Sequence, residues 1–232
     1  MAYAQAPTEL TDFVQQLDAA ASQEDLSGVM QAYSPNLVHG DGLTYDELEA
    51  ALVQFWEQYD NLVYETDITH WQDTASGYTS ETVTTITGTR ELGDQSLMLT
   101  ATLTATQEMA NGQIISQDIL DEESSVAAGS NPPELDINLP EQVDTGEQFY
   151  FDAIVLEPLG ERLLLGMALE EEVSSTGYAA PATIEFDLLT SGGLFKEGLA
   201  PESPGQRWLS AIVVRDDGIA GTTRRLQVAP VE

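Results

Sequence analysis

The 232-residue chain contains no cysteine, which excludes disulfides, thiolate nucleophiles, thiolate metal sites and Cys-linked lipids within it. It is almost as poor in positive charge: Lys plus Arg number 7 against 40 Asp plus Glu, and 7 − 40 = −33. So anionic a chain is repelled by phosphate backbones and by anionic lipid surfaces, which argues against nucleic acid as a partner. No window approaches the roughly 18 apolar residues that cross a bilayer as a helix, so no membrane span is expected. The only histidines are His39 and His70, so few side chains suit proton transfer near neutrality. A phosphate-cradling Gly-rich loop, a G-x-S-x-G elbow, an EF-hand loop and H-x-H or H-x-x-x-H spacing are all missing. Neither a cofactor nor a metal is therefore expected.

What is present reads as globular. Apolar residues make up 42%, aromatics 7% and charged residues 20%, a mixture that fills cores and excludes a disordered tail, a collagen-like repeat or a coiled coil. The length suits two ordinary domains. The acids are dispersed, with Asp121-Glu122-Glu123 and Glu170-Glu171-Glu172 as the longest runs, and they read as solvated surface rather than a dedicated cation site. Near the start, Ala2-x-Ala4 and Ala4-x-Ala6 follow the small-x-small pattern of a signal-peptidase site. The expectation is an extracytoplasmic protein, periplasmic, lumenal or secreted, after removal of a signal peptide.

Periodicity divides the chain. Leu10, Phe13, Val14, Leu17, Ala20 and Ala21 repeat at helical spacing, and a second helix is predicted from a cap at Ser22 to Asp25 as far as about Tyr33, stopped by Ser34-Pro35-Asn36. Thr44-Tyr45-Asp46-Glu47 reads as a capping box opening a third helix that carries Leu48, Phe55, Trp56 and Tyr59. Four alternating strands are then predicted over 63–72, 78–92, 95–109 and 113–126, with Gly93-Asp94 and Asn111-Gly112 as hairpin turns. Ala127 to Pro133 has the small-residue and Pro composition of a linker. Beyond it, seven short strands with regularly spaced turns, over 135–139, 148–157, 162–173, 182–190, 193–199, 208–215 and 223–228, imply a β-sandwich. The expected fold is α+β: an N-terminal cone of three helices against a curved antiparallel sheet over 7–126, a linker over 127–133, and an all-β sandwich over 134–232.

The helix pair, the segment Met30-Gln31-Ala32-Tyr33-Ser34-Pro35-Asn36-Leu37-Val38-His39-Gly40, the Thr44 to Tyr59 helix and the Gly88 strand together resemble the nuclear transport factor 2-like fold shared with ketosteroid isomerases and polyketide cyclases. Leu139-Pro140-x-x-Val143-x-x-Gly146-x-x-Phe149-x-Phe151 is similar to the opening strands of immunoglobulin-like modules, and the tandem looks like an exported bacterial family of unassigned activity. The resemblance implies a pocket between the sheet and the helices, with Tyr33, Tyr45, Phe55, Trp56, Tyr59, Tyr64, His70 and Trp71 as candidate lining. The alternative is that these aromatics simply fill a core.

Catalytic candidates are His39, Asp41 and Tyr33. Isomerases of this fold carry an acidic general base near the position of Asp41, but Gly40 and Gly42 also make His39-Gly40-Asp41-Gly42 read as a turn into the third helix. On a strand, period two sends His70 and Trp71 to opposite faces, so only one can look into the cone. Two functions follow. The first is a non-enzymatic exported binding or interaction protein that takes a small apolar ligand or a protein partner in the cone and makes contacts through the sandwich, homodimerisation included. The alternative is an isomerase-, dehydratase- or cyclase-type enzyme working by general acid–base catalysis on a small apolar substrate.

Overall fold

The computed structural model describes residues 5–158, 160, 162–179 and 185–231. The Ala2 and Ala4 of the export pattern, and 182–184 of one expected strand, lie outside the described residues.

Three helices open the chain. α1 (Thr8–Ser22) buries Leu10, Val14 and Ala21 on one face. α2 (Leu26–Gln31) is capped by Asp25, whose carboxylate accepts from the Gly28 N–H at 3.0 Å. α3 (Tyr45–Trp56) starts in a reciprocal capping box: the Glu47 N–H donates to Thr44 Oγ1 at 3.3 Å while the Thr44 N–H donates to the Glu47 carboxylate at 2.8 Å. Between α2 and α3 the sequence predicts the end of a helix and a Pro stop. Tyr33–His39 instead forms a strand, β1, running parallel to a later one. Pro35 is tolerated there because β1 has a strand partner on one side only among the described residues.

Four long strands follow: β2 (Asp60–Asp73), β3 (Gly77–Leu92), β4 (Gln95–Ala110) and β5 (Gln113–Gly129), hydrogen-bonded in that order. The β4–β5 turn needs two residues in the left-handed region; Asn111 (φ 53°) and Gly112 (φ 78°) supply them at little cost. Along β4, Leu97, Leu99, Ala101, Ala105 and Met109 are buried, so one face of the strand meets the interior and the other is Thr-rich. The remaining elements are β6 (Leu135–Asn138), β7 (Gln142–Asp144), β8 (Gln148–Val155), β9 (Leu164–Glu172), a single 3-10 turn (Gly177–Ala179), β10 (Asp187–Leu189), β11 (Gly193–Leu199), β12 (Gly205–Arg215) and β13 (Gly218–Ala229).

The chain divides into two compact units. Unit one comprises Met1–Arg90, Leu99–Glu122 and Ser174–Ala179; unit two comprises Glu91–Met98, Glu123–Val173 and Ala180–Glu232. In unit one, α1 packs on β2: the Tyr64 N–H donates to Ser22 Oγ at 2.9 Å, and Asp18 accepts from both the N–H (2.9 Å) and Oγ1 (2.7 Å) of Thr66. In unit two, one sheet runs β10-β9-β12-β13 and continues onto Glu123–Gly129 of β5, with β7 parallel to β13; the other runs β11-β8-β6. Residues 127–129, expected at the start of a linker, are thus the hydrogen-bonded end of β5. Phe149, Phe151, Leu194, Val213 and Leu226, drawn from both sheets, share one core. A buried Arg215 ties the β12–β13 turn to the chain before β6: its Nε donates to Asp217 Oδ1 at 2.5 Å and its Nη2 to the Asn131 carbonyl at 2.8 Å.

One expectation is overturned. The chain is not of the expected α+β class, with three helices against a curved antiparallel sheet; strand accounts for 58% of the described residues and helix for 16%, a mostly-β class. The reason lies in element length. β2 to β5 run 14, 16, 16 and 17 residues, against 15, 6 and 12 for the helices, where an ordinary strand has about 5–6.

Candidate functional site

The polar interior of unit one is assembled by β1. Its parallel register sets Tyr33 opposite Ile114 and His39 opposite Gln117. Burial alternates so that Leu37 and His39 face inward while Val38 faces out. Gln117, buried on β5, is the hub: its Oε1 accepts from Tyr33 Oη at 3.2 Å and from Gln107 Nε2 at 2.9 Å, and its Nε2 lies 3.4 Å from His39 Nε2. Buried polar atoms are costly unless paired, and here the Tyr33 hydroxyl and the Gln107 amide both pair with Gln117. Burial pushes the Tyr33 phenol up to about 12, so it is a hydroxyl and not a phenolate near neutrality.

His39 Nδ1 accepts from the Asp41 backbone N–H at 3.1 Å. A neutral imidazole has one lone pair; taken up at Nδ1, it leaves an N–H at Nε2 that meets the Gln117 amide nitrogen donor to donor at 3.4 Å, a close approach and not a hydrogen bond. A cationic ring would add a second such opposition at Nδ1. Gly42, with φ 79°, closes the turn by donating its N–H to the His39 carbonyl at 2.9 Å. Gly40 is pressed so closely on Asp118 that a Cβ would stand 2.3 Å from its Oδ1. The Asp41 carboxylate accepts from Tyr178 Oη at 2.6 Å. His39 and Asp41 are therefore neighbours in one turn, the imidazole taking the Asp41 N–H and the carboxylate the Tyr178 hydroxyl.

Four of the aromatic candidates meet in two pairs. Trp56 is buried and donates from Nε1 to Tyr64 Oη at 3.0 Å; burial pushes the Tyr64 phenol to about 12. Phe55 and Tyr59 meet with ring centroids 5.2 Å apart, and burial also raises the Tyr59 phenol. Tyr45, at the start of α3, donates to the Met30 carbonyl at 3.1 Å. Trp71 is half-buried and meets Tyr78 edge-on at 6.3 Å.

A bulge in β2 decides between His70 and Trp71. The register slips between Ile68 and His70, after which His70 stands opposite Glu81 and Trp71 opposite the buried Ser80. Trp71 thus takes the inner face and His70 the outer one. His70 lines an open groove of about 260 Å³ with Ser80, Glu81, Gln107, Glu108, Ser116 and Asp118, which holds none of the other seven pocket candidates. Among the described residues, no group of three or more His, Asp and Glu is placed to hold a metal ion, and no helix is long and apolar enough to cross a membrane.

Sequence reasoning missed Gln107, Gln117, Tyr178 and Asp18. The alternation of Leu97, Leu99, Ala101, Leu103 and Ala105, carried two residues on, assigns Gln107 to the inner face, so a signal for it was present. Tyr178 gave none: 137 residues separate it from Asp41. Asp18 looks like a solvated position on α1, yet burial raises its carboxyl against the lowering effect of the Thr66 hydrogen bonds.

A family model described as a domain of unknown function (DUF8623) matches residues 130–229. No curated protein is similar to this sequence. Solved structures similar over about half the chain are of nuclear transport factor 2-like and ketosteroid isomerase-like kinds. An LEH-like epoxide hydrolase of M. tuberculosis is 17% identical, with a TM-score of 0.34 over 48% of this chain and 81% of its own. An NTF2-like protein of unknown function from Exiguobacterium sp. 255-15 is 16% identical, with a TM-score of 0.36 over 48% and 96%. A hypothetical protein with a ketosteroid isomerase-like fold from Catenulispora acidiphila DSM 44928, solved with trimethylamine, is 10% identical, with a TM-score of 0.34 over 47% and 83%. At these values the functional reading has to come from the chain's own residues.

Proposed function

We propose that the chain is a non-enzymatic binding or interaction protein that works outside the cytoplasm. The observation that carries this reading is that both acid–base candidates are already engaged by the protein's own groups. The Asp41 carboxylate is engaged by Tyr178 and the His39 ring by the Asp41 N–H, within a buried network centred on Gln117. General acid–base catalysis needs a base held within reach of a substrate proton and, for an imidazole base, a group that stabilises the cation it becomes. The paired packing of Trp56 with Tyr64 and Phe55 with Tyr59 favours contacts through surfaces over an enclosed apolar pocket. The extracytoplasmic location is supported by the small-residue pattern at Ala2–Ala6 and by an acidity suited to a saline medium.

A second reading, an isomerase-, dehydratase- or cyclase-type enzyme, draws on the buried Tyr33–Gln117–His39 chain. One experiment separates them. Deuterium uptake next to the carbonyl of small apolar ketones, together with hydrolysis of small epoxides, is followed for the wild type, His39→Asn and Asp41→Asn. The binding reading expects all three to match buffer; an acceleration by the wild type that disappears in either variant overturns it.

A further inference from the structure

We infer that the outer face of the β11-β8-β6 sheet docks a protein partner whose surface is apolar at its centre and basic at its rim. The face follows from register. Phe149, Phe151, Ala153 and Val155 of β8 are buried, so Tyr150, Asp152 and Ile154 point outward. Residues directly opposite on paired strands share a face. Phe195 stands opposite Asp152, Glu197 opposite Tyr150 and Leu199 opposite Gln148; on the other side of β8, Asn138 faces Asp152 and Asp136 faces Ile154. Leu199, Tyr150, Phe195 and Ile154 therefore zigzag along two strands, with Glu197, Asp152 and Asp136 between and beside them.

The apolar members are well exposed: Tyr150 by 59%, Phe195 by 54% and Leu199 by 67%. Scattered single exposures need no explanation, but two aromatics and a leucine on one strand pair form a patch of the kind that marks an interaction site. The face, not the strand edge, is the contact. β11 is the last strand of its sheet among the described residues, and its central Lys196, in register with Phe151, is exposed. A lysine on an edge strand is a device that discourages strand-to-strand addition.

Charge selects the occupant. Glu197, Asp152 and Asp136 give the face a negative rim on a chain of net charge −33. A second copy would oppose each carboxylate with another, and an anionic bilayer would repel the whole molecule. A cationic rim instead turns the same carboxylates into steering and pairing groups, while aromatic anchors at the centre supply most of the affinity. This inference concerns unit two and stands whether or not the interior of unit one is catalytic.

The test uses the full 15N-labelled chain and a synthetic peptide with arginines flanking a Leu-Trp-Leu centre. Controls are the same peptide with glutamates for arginines, and a version with a Ser-Ser-Ser centre. The expected result is amide shifts clustered on β8 and β11 with the first peptide, none with the glutamate peptide, and affinity weaker by about tenfold or more for the Ser-centred peptide and for a Tyr150→Ser/Phe195→Ser variant. Should that variant not fold, Leu199→Ser alone is expected to weaken binding several-fold. Shifts dispersed over the acidic surface, with affinity unchanged by the substitutions, overturn the proposal. So does a dimer of the wild type alone in sedimentation that the substitutions abolish, or binding to phosphatidylglycerol vesicles that they abolish.

Discussion

Gln117 carries more of unit one's interior than its type suggests. It satisfies the Tyr33 hydroxyl and the Gln107 amide at once, and it lies against His39. Removing one partner from a buried network leaves the others desolvated and unpaired, at about 1–3 kcal/mol for each group. Gln117→Ala is therefore expected to destabilise by about 2 kcal/mol or more, read as a lowered urea midpoint. A loss near zero would mean that the network is solvated. The tyrosines give a second measurement. Burial holds the phenols of Tyr33 and Tyr64 near 12, above their ordinary 10.0. A raised folded pKa means that the folded state keeps its protons longer, so this stabilisation is present below about pH 10 and is lost as pH climbs toward 12. Ultraviolet titration should show two phenols ionising late, and Tyr33→Phe should flatten the alkaline loss of stability. At this scale the sequence was partly legible. His39 and Tyr33 stood out by residue type, and Gln107 could be reached by extending an alternation. Tyr178, the partner of Asp41, could not, because a contact across 137 residues leaves no local pattern.

Elements whose determinants are local were read closely. The capping box at Thr44–Glu47 and the Asn111-Gly112 turn depend on residues a few positions apart, and both formed where the motifs stand. β1 was misread because Leu26, Val29, Met30 and Tyr33 also fit helical spacing, and only the distant β5 turns Tyr33–His39 into strand. The β2 bulge was equally illegible: nothing in Thr69-His70-Trp71 announces a register slip, although that slip decides which ring faces inward. In unit two, the β12–β13 turn depends on Asp217. A hydrogen bond from Arg215, helped by Asn131 and by the charges of Arg162 and Arg215, holds its carboxyl down at about 2. A depressed folded pKa gives stability that is present above the ordinary 3.8 and is lost as pH falls toward 2. Urea midpoints compared across that window for the wild type and Asp217→Asn should converge at the acid end and separate above it; parallel curves would contradict the linkage. Taking the difference removes the contribution of the other acids.

At the scale of the molecule, charge and strand length dominate. The chain holds 40 acids and 7 bases, and Arg90 is the single base of unit one. Much of the scarce positive charge is used internally: Arg207 pairs with Glu170 and Glu172, Arg215 with Glu157 and Asp217, and Arg224 with Glu123. Like charges left over a compact surface repel within a Debye length of about 10 Å at 0.1 M salt, so added sodium chloride should raise the melting temperature. A melting temperature indifferent to salt would contradict that. The mostly-β class was missed for a related reason of scale: each long strand was recognised, but the balance of a fold is set by summed length, not by the number of helices. The question that governs function is whether His39 and Asp41 act together or only stand in the same turn. The most direct measurement is the 15N spectrum of the His39 ring at neutral pH, wild type against Asp41→Asn. The prediction is an unprotonated Nδ1 and a protonated Nε2 in both proteins; an imidazolium whose proton follows the Asp41 carboxylate would contradict it.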